Sequence, residues 1–162
     1  MYTAIQKITP FLWFDDRAEE AANFYASIFA NSKIEGVTRY GEGGPRPAGT
    51  VMTVAFQLEG QQFVGLNGGP HFQFTEAISL VVNCRNQEEV DYYWEKLSAG
   101  GQEVQCGWLK DKYGLSWQVV PTIVSQAFQQ VDTATATRVM QAILKMKKLI
   151  VADLEEVMNA PA

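Results

Sequence analysis

The stretch Thr9-Pro10-Phe11-Leu12-Trp13-Phe14, followed by Asp16 with Glu19 and by Ala18, Ala21, Ala22, Tyr25, Ile28 and Phe29, has a counterpart later in the same chain. The apolar run is aromatic-rich and too short for a helix, so it predicts a strand. Asp16 and Glu19 have the spacing of a capping box, and the apolar residues behind them fall on one helical face. In the counterpart, Ile78-Ser79-Leu80-Val81-Val82-Asn83 is the strand and Asn86 with Glu89 is the cap. Val90, Tyr93, Trp94 and Leu97 form its apolar stripe, and Tyr93-Trp94 stands where the first copy has Phe24-Tyr25.

Strands are predicted after each helix. In the first half they run over Lys33–Tyr40, Thr50–Leu58 and Gln62–Asn67, the last two joined at the tight-turn dipeptide Glu59-Gly60. In the second half Gly100-Gly101 ends the helix. Short strands follow near Glu103–Leu109 and Leu115–Val120, around the run Asp111-Lys112-Tyr113-Gly114-Leu115-Ser116-Trp117-Gln118, and Pro121 closes the sheet. The expected class is α+β, with two tandem βαβββ modules and a C-terminal helical tail. Residues 1–162 are read as a single domain: a first module over 1–70, a second over 71–121 and a helical tail over 122–162. In the tail, Val139, Ile143, Met146 and Ile150 make a stripe, and Asp153 with Glu156 has the spacing to cap a last short helix. Such a tail packs on its own domain or contributes to a dimer contact.

The composition bounds the function. Among 162 residues, 47% are hydrophobic and 19% charged, which suits a packed core. The net charge of −5 argues against a phosphate-tracking surface. Lys145, Lys147 and Lys148 read as a solvated helix face near a C-terminal dipole. No run approaches the ~20 apolar residues of a membrane span, and no leader is visible, so neither nucleic acid nor membrane is an expected partner and a cytoplasmic address is expected. Cys84 and Cys106 lack CxxC spacing and are expected to be reduced thiols. The loop Gly41-Glu42-Gly43-Gly44-Pro45-Arg46-Pro47 is no phosphate cradle, because no GK[ST] and no helix start follow it.

The sequence resembles the vicinal oxygen chelate superfamily of glyoxalase, bleomycin-resistance and extradiol-dioxygenase relatives. Within it the chain looks like the PhnB-like group, whose domain carries the label 3-demethylubiquinone-9 3-methyltransferase. The residues that carry the likeness are Pro10 to Asp15, Phe24-Tyr25, Ile28-Phe29, Ala77 to Leu80, Glu89-Val90-Asp91, Trp94 and Leu97. Gly107-Trp108, Asp111, Gly114 and Ser116-Trp117-Gln118 before Pro121 complete it, and the tail from Met140 to Lys148 looks similar as well. The resemblance implies strands curled around a cleft, helices outside, and homodimers. Strand parity agrees: Leu80, Val82, Leu115, Trp117 and Val119 are apolar, while Ser79, Asn83, Ser116 and Gln118 alternate with them as a polar cleft wall. In the first strand the cleft-facing set would be Pro10, Leu12 and Phe14.

Metal-using relatives hold one divalent ion with His, Glu or Gln side chains from the first and last strands of each module. Carried over by position, those places fall on Pro10, Ser79, Gln118 and Asn67, of which only Gln118 is a credible ligand. His71 is a lone loop histidine, more in keeping with a surface residue than a ligand. No metal or other cofactor is therefore expected. Neither a nucleophile elbow nor a Gly-rich strand-to-helix cofactor turn is present. What is left is an apolar cleft with a few polar groups. Ser79, Ser116 and Gln118 would supply hydrogen bonds, Leu12 and Phe14 the lining, and His71, Arg46 and Trp108 the mouth. The expected function is metal-independent binding of a small-molecule ligand. The alternatives are an enzyme of the glyoxalase/dioxygenase superfamily with an unidentified substrate, and a dimer of purely structural role.

Overall fold

A computed structural model of the chain describes residues 5–130 and 132–161. The chain divides into two compact units, Met1–Gln73 and Phe74–Ala162.

The first unit is β1 (Phe11–Phe14), α1 (Ala18–Ile28), β2 (Ser32–Arg39), β3 (Val51–Leu58) and β4 (Gln61–Asn67). Its sheet has the order β1-β4-β3-β2, with β1 parallel to β4 and the other pairs antiparallel. Buried Ala18, Ala21, Ala22, Tyr25 and Ile28 of α1 face Val54, Phe56, Leu58 and Phe63. The Tyr25 ring lies 6.2 Å from Phe56, which stacks on Phe63 at 5.5 Å. Alanines let the helix come close: a Cβ on Gly65 of β4 would lie 3.2 Å from that of Ala18 and 3.4 Å from the Phe14 ring.

The second unit repeats the order: β5 (Ser79–Cys84), α2 (Gln87–Ser98), β6 (Gln102–Glu103), β7 (Trp108–Lys110) and β8 (Ser116–Pro121), with sheet order β5-β8-β7-β6. The α+β class and the two βαβββ modules are as the sequence predicts. Asn86 caps α2, its side chain accepting the Glu89 amide at 3.0 Å, while the Glu89 carboxylate accepts the Arg85 amide at 2.8 Å.

Four local expectations differ. Asp16 does not cap α1. The Ala18 amide instead donates to Asn67 Oδ1 at 2.8 Å, so the end of β4 caps the helix. The predicted strand over Glu103–Leu109 is two strands separated by a turn, because Cys106 and Gly107 both take positive φ, 64° and 80°. Third, α3 (Thr122–Gln130), α4 (Thr133–Ile143) and α5 (Val151–Asn159) make the tail, and α4 stops at Ile143 rather than continuing along the stripe to Ile150. Asp153 does not cap α5; Gln87 Oε1 accepts the Val151 amide at 2.7 Å.

The tail packs on its own unit. Ala127, Val139, Ile143, Leu149 and Leu154 form one buried cluster, with Cys106 against it. Among the described residues no helix is long and apolar enough to cross a membrane.

Candidate functional site

The candidate residues fall in three places. Leu12 and Phe14 do not line an open face. They are 6% and 4% exposed, and Phe14 packs beside Ala18 of α1 and pairs in register with Asn67, which reaches the same helix. Side chains alternate strictly along a strand, so a parity displaced by one residue reverses every assignment. Phe11 and Trp13 occupy the face away from α1, with Phe11 59% exposed.

Arg46 and His71 meet at the exit of β4. A Cβ on Gly69 would lie 3.4 Å from Arg46 Nη1 and 3.7 Å from His71 Cδ2. Arg46 Nη1 donates to the Asp15 carbonyl at 3.0 Å, and the Trp13 indole N–H donates to the Gly69 carbonyl at 2.9 Å. Gly68 is required by contact: a Cβ there would fall 2.3 Å from the Trp13 ring. Phe72 closes edge-on against Trp13 at 4.9 Å, and His71 itself is exposed.

Ser79, Ser116, Gln118 and Trp108 come together on one face of the second sheet. Residues paired across neighbouring strands point to the same side. Ser79 pairs with Ser116 and Ser116 with Lys110, giving a row of hydroxyl, hydroxyl and ammonium across β5, β8 and β7. The next row is Val81, Gln118 and Trp108. Gln118 Nε2 joins the rows by donating to Ser79 Oγ at 2.9 Å. The opposite face carries Val82, Leu109, Trp117 and Val119, all buried.

Asp111 holds this arrangement in register. Only 2% exposed, its Oδ1 accepts the amides of Tyr113 and Leu115 at 2.9 and 3.1 Å, and its Oδ2 accepts the Trp117 indole N–H at 2.9 Å. The carboxylate thus fixes the β7–β8 turn on whose two sides Lys110 and Ser116 lie.

Lys110 and Glu76 escaped the sequence reading. Lys110 forms an ion pair with Glu76, and that hydrogen bond holds the Glu76 carboxyl below the usual range. Ser116 is fully buried, and its Oγ has no hydrogen-bond partner among the described residues. An unsatisfied buried hydroxyl costs about 1–3 kcal/mol. Lys110 lies one residue beyond the predicted strand over Glu103–Leu109, and its pairing with Ser116 emerges only in the structure; Glu76 lies outside any predicted element and gave no signal.

Two four-stranded βαβββ sheets, each with its helix on one face, are the fold of the vicinal oxygen chelate superfamily. Within that superfamily the chain belongs to the PhnB-like family described as 3-demethylubiquinone-9 3-methyltransferase, whose model matches residues 6–120. The PhnB protein of Bacillus cereus is 43% identical in a match covering 72% of this chain and 99% of that one, with a TM-score of 0.66. A Pseudomonas aeruginosa protein shares the fold at 19% identity, over 72% of this chain and 98% of its own, with a TM-score of 0.60. The fosfomycin resistance protein FosX of Listeria monocytogenes shares it at 16% identity, 75% and 93% coverage and a TM-score of 0.52. No curated protein matches the chain. The family match ends at residue 120, so the expected likeness of the tail forms no part of it.

The four positions carried over from metal-using relatives do not fit a divalent ion. Pro10 has no donor atom on its side chain. Asn67 is 6% exposed, and both ends of its amide are engaged: Oδ1 by the Ala18 amide, Nδ2 by the Val51 carbonyl at 3.2 Å. Ser79 and Gln118 are bonded to each other, and a neutral hydroxyl and amide make a weak pair of ligands without imidazole or carboxylate.

Proposed function

We propose that this protein binds a small molecule without a metal, and that the ligand sits on the face of the second sheet bearing Ser79, Gln118 and Trp108. The observation that carries this reading is the Gln118–Ser79 hydrogen bond of 2.9 Å. With its N–H given to the serine, the amide keeps Oε1 as an acceptor, and Ser79 keeps its O–H as a donor. Beside them lie Val81, 49% exposed, and the half-buried Trp108. Apolar surface carrying a few fixed polar groups is the usual composition of a small-molecule site. The metal-free part of the reading is supported by the donor set, whose amide and hydroxyls are poor ligands. The methyltransferase label draws no support from the strand-to-helix turns: Asp15-Asp16-Arg17 and Arg85-Asn86 contain no glycine, and the nucleotide-type turn needs several. The family resemblance also supports a homodimer, and two cysteines without CxxC spacing suit a reducing, cytoplasmic setting.

A thermal-shift screen of aromatic and polar small molecules in excess EDTA tests this. A ligand at about 100 times its Kd stabilises by about 2.7 kcal/mol, or about 5–10 °C for a chain of this size. Gln118→Ala is expected to remove the shift without lowering the melting temperature of the free protein. If no compound stabilises at millimolar concentration, or if stabilisation needs an added divalent ion, the reading fails.

A further inference from the structure

We infer that the ligand carries a carboxylate, and that the Lys110–Glu76 ion pair is a built-in occupant which this carboxylate displaces. This rests on the binding face proposed above and names the chemical class that the face takes.

The geometry begins with strand order. β8 lies between β5 and β7, so Ser116 has Ser79 on one side and Lys110 on the other. Glu76 precedes β5, yet its carboxylate meets the Lys110 ammonium from β7. The ion pair therefore links the segment before β5 to β7, the strands on either side of the one that carries Ser116. Ser116 is fully buried, its hydroxyl without a hydrogen-bond partner among the described residues. Polar groups buried in native proteins are nearly always hydrogen-bonded, so an orphan hydroxyl in a row of donors marks a place made for an absent acceptor.

The donors define what would fill it. The Lys110 ammonium, the Ser116 O–H and the Ser79 O–H stand in one row, with Gln118 Nε2 already holding Ser79 Oγ. A single cation suits a single negative charge, and Glu76 demonstrates that a carboxylate seats on this ammonium. Glu76 is the more exposed partner, with 60% of its side chain open against 32% for Lys110, so it is the one free to swing away. Its replacement keeps the charge pair and adds the Ser116 hydrogen bond that Glu76 leaves unmade. The row containing Val81 and Trp108 lies alongside, where an apolar or aromatic body joined to the carboxylate would rest.

Benzoate and its neutral counterpart benzamide test this on the full chain, with EDTA present and ionic strength fixed. Binding is read by calorimetry and by NMR shifts of the Gln118 side-chain amide and the Trp108 indole. Benzoate is expected to bind about tenfold more tightly than benzamide. Glu76→Gln removes the internal competitor and should tighten benzoate by about threefold while leaving benzamide unchanged. Lys110→Met should abolish the preference, and Ser116→Ala should weaken benzoate in a protein that melts no lower than the parent. Equal binding of the two probes, still dependent on Gln118, would overturn the carboxylate inference and leave the binding face standing. So would a Glu76→Gln variant that binds benzoate no better than the parent. If neither probe binds and the wider screen also finds nothing, both readings fall together.

Discussion

Asn67 connects three elements through one side chain and one carbonyl. Its Oδ1 caps α1, its Nδ2 holds the Val51 carbonyl at the start of β3, and its own carbonyl accepts the Tyr40 hydroxyl at 2.6 Å. Truncation to Asn67→Ala leaves a helix-terminal amide and a strand carbonyl unpaired in a buried setting. The expected loss is about 2–4 kcal/mol, read as a lower urea midpoint with unchanged slope; a loss below 0.5 kcal/mol would show that water replaces the amide. Cys84 has a different consequence. Its thiol is fully buried, and burial, aided by the Glu89 carboxylate and opposed by a hydrogen bond to the Val120 backbone, pushes its pKa up to about 12. The unfolded thiol ionises near its ordinary value of about 8.5, so the folded state holds this proton more tightly. That contribution to stability is complete below about pH 8.5 and is lost as pH rises through 12. Cys84→Ala should therefore flatten the decline in urea stability between pH 9 and 11, and an equally steep decline in the variant would refute the assignment. In the folded protein at pH 8, a thiol reagent should spare Cys84, because the thiolate is the reacting species.

At the scale of elements, what was legible depended on how local the determining contacts are. The cap of α2 comes from Asn86 and Glu89, within the helix's own first turn, and its spacing in the sequence announced it. The caps of α1 and α5 come from Asn67 and Gln87, far away along the chain, and no local pattern could show them. Parity behaved likewise. In β5 and β8 one face is wholly apolar while the other carries Ser79, Asn83, Ser116 and Gln118 among two valines, so Ser79 and Gln118 were placed correctly on one face. In β1 all four residues, Phe11-Leu12-Trp13-Phe14, are apolar, and composition could not say which pair faces the helix. The β3–β4 hairpin shows a local rule met imperfectly. Leu58 pairs with Gln61, leaving Glu59 and Gly60 as a two-residue loop with φ of 47° and 85°. Such a turn requires positive φ at both positions, which asparagine tolerates far better than glutamate. Glu59→Asn is expected to stabilise by about 0.5–1 kcal/mol. A decrease would mean that the weak contact of the Glu59 carboxylate with the Asn31 amide, at 3.4 Å, outweighs the turn preference.

At the scale of the whole chain, the two modules answer to their repeat, while the tail is held by contacts that belong to neither pattern. The turn between β6 and β7 presents the Cys106 and Gly107 amides, made available by consecutive positive φ values, to the carbonyls of Met146 and Lys147, each at 2.8 Å. Gly107 has no side chain because Leu149 packs there: a Cβ would lie 3.1 Å from it. Lys148 pairs with Asp91 of α2 at 2.7 Å, and that hydrogen bond holds the Asp91 carboxyl below its usual range. Gln87, the first residue of α2, completes the attachment by donating to the Leu149 carbonyl at 3.2 Å and accepting from the Val151 amide at 2.7 Å. One glutamine thus caps α5 and positions Leu149 and Leu154 in the buried tail cluster. Gln87→Ala leaves both backbone groups unpaired beside that cluster. The expected cost is about 2 kcal/mol, and it should fall on the tail first. Amide exchange at Val151 and Leu154 is then expected to accelerate by about 30-fold, whereas Lys148→Ala, which removes an exposed pair worth well under 1 kcal/mol, should change it by less than about fivefold. Equal acceleration by the two variants would show that charge, rather than the Gln87 bridge, holds the tail. No change in either would show that the apolar cluster alone is sufficient.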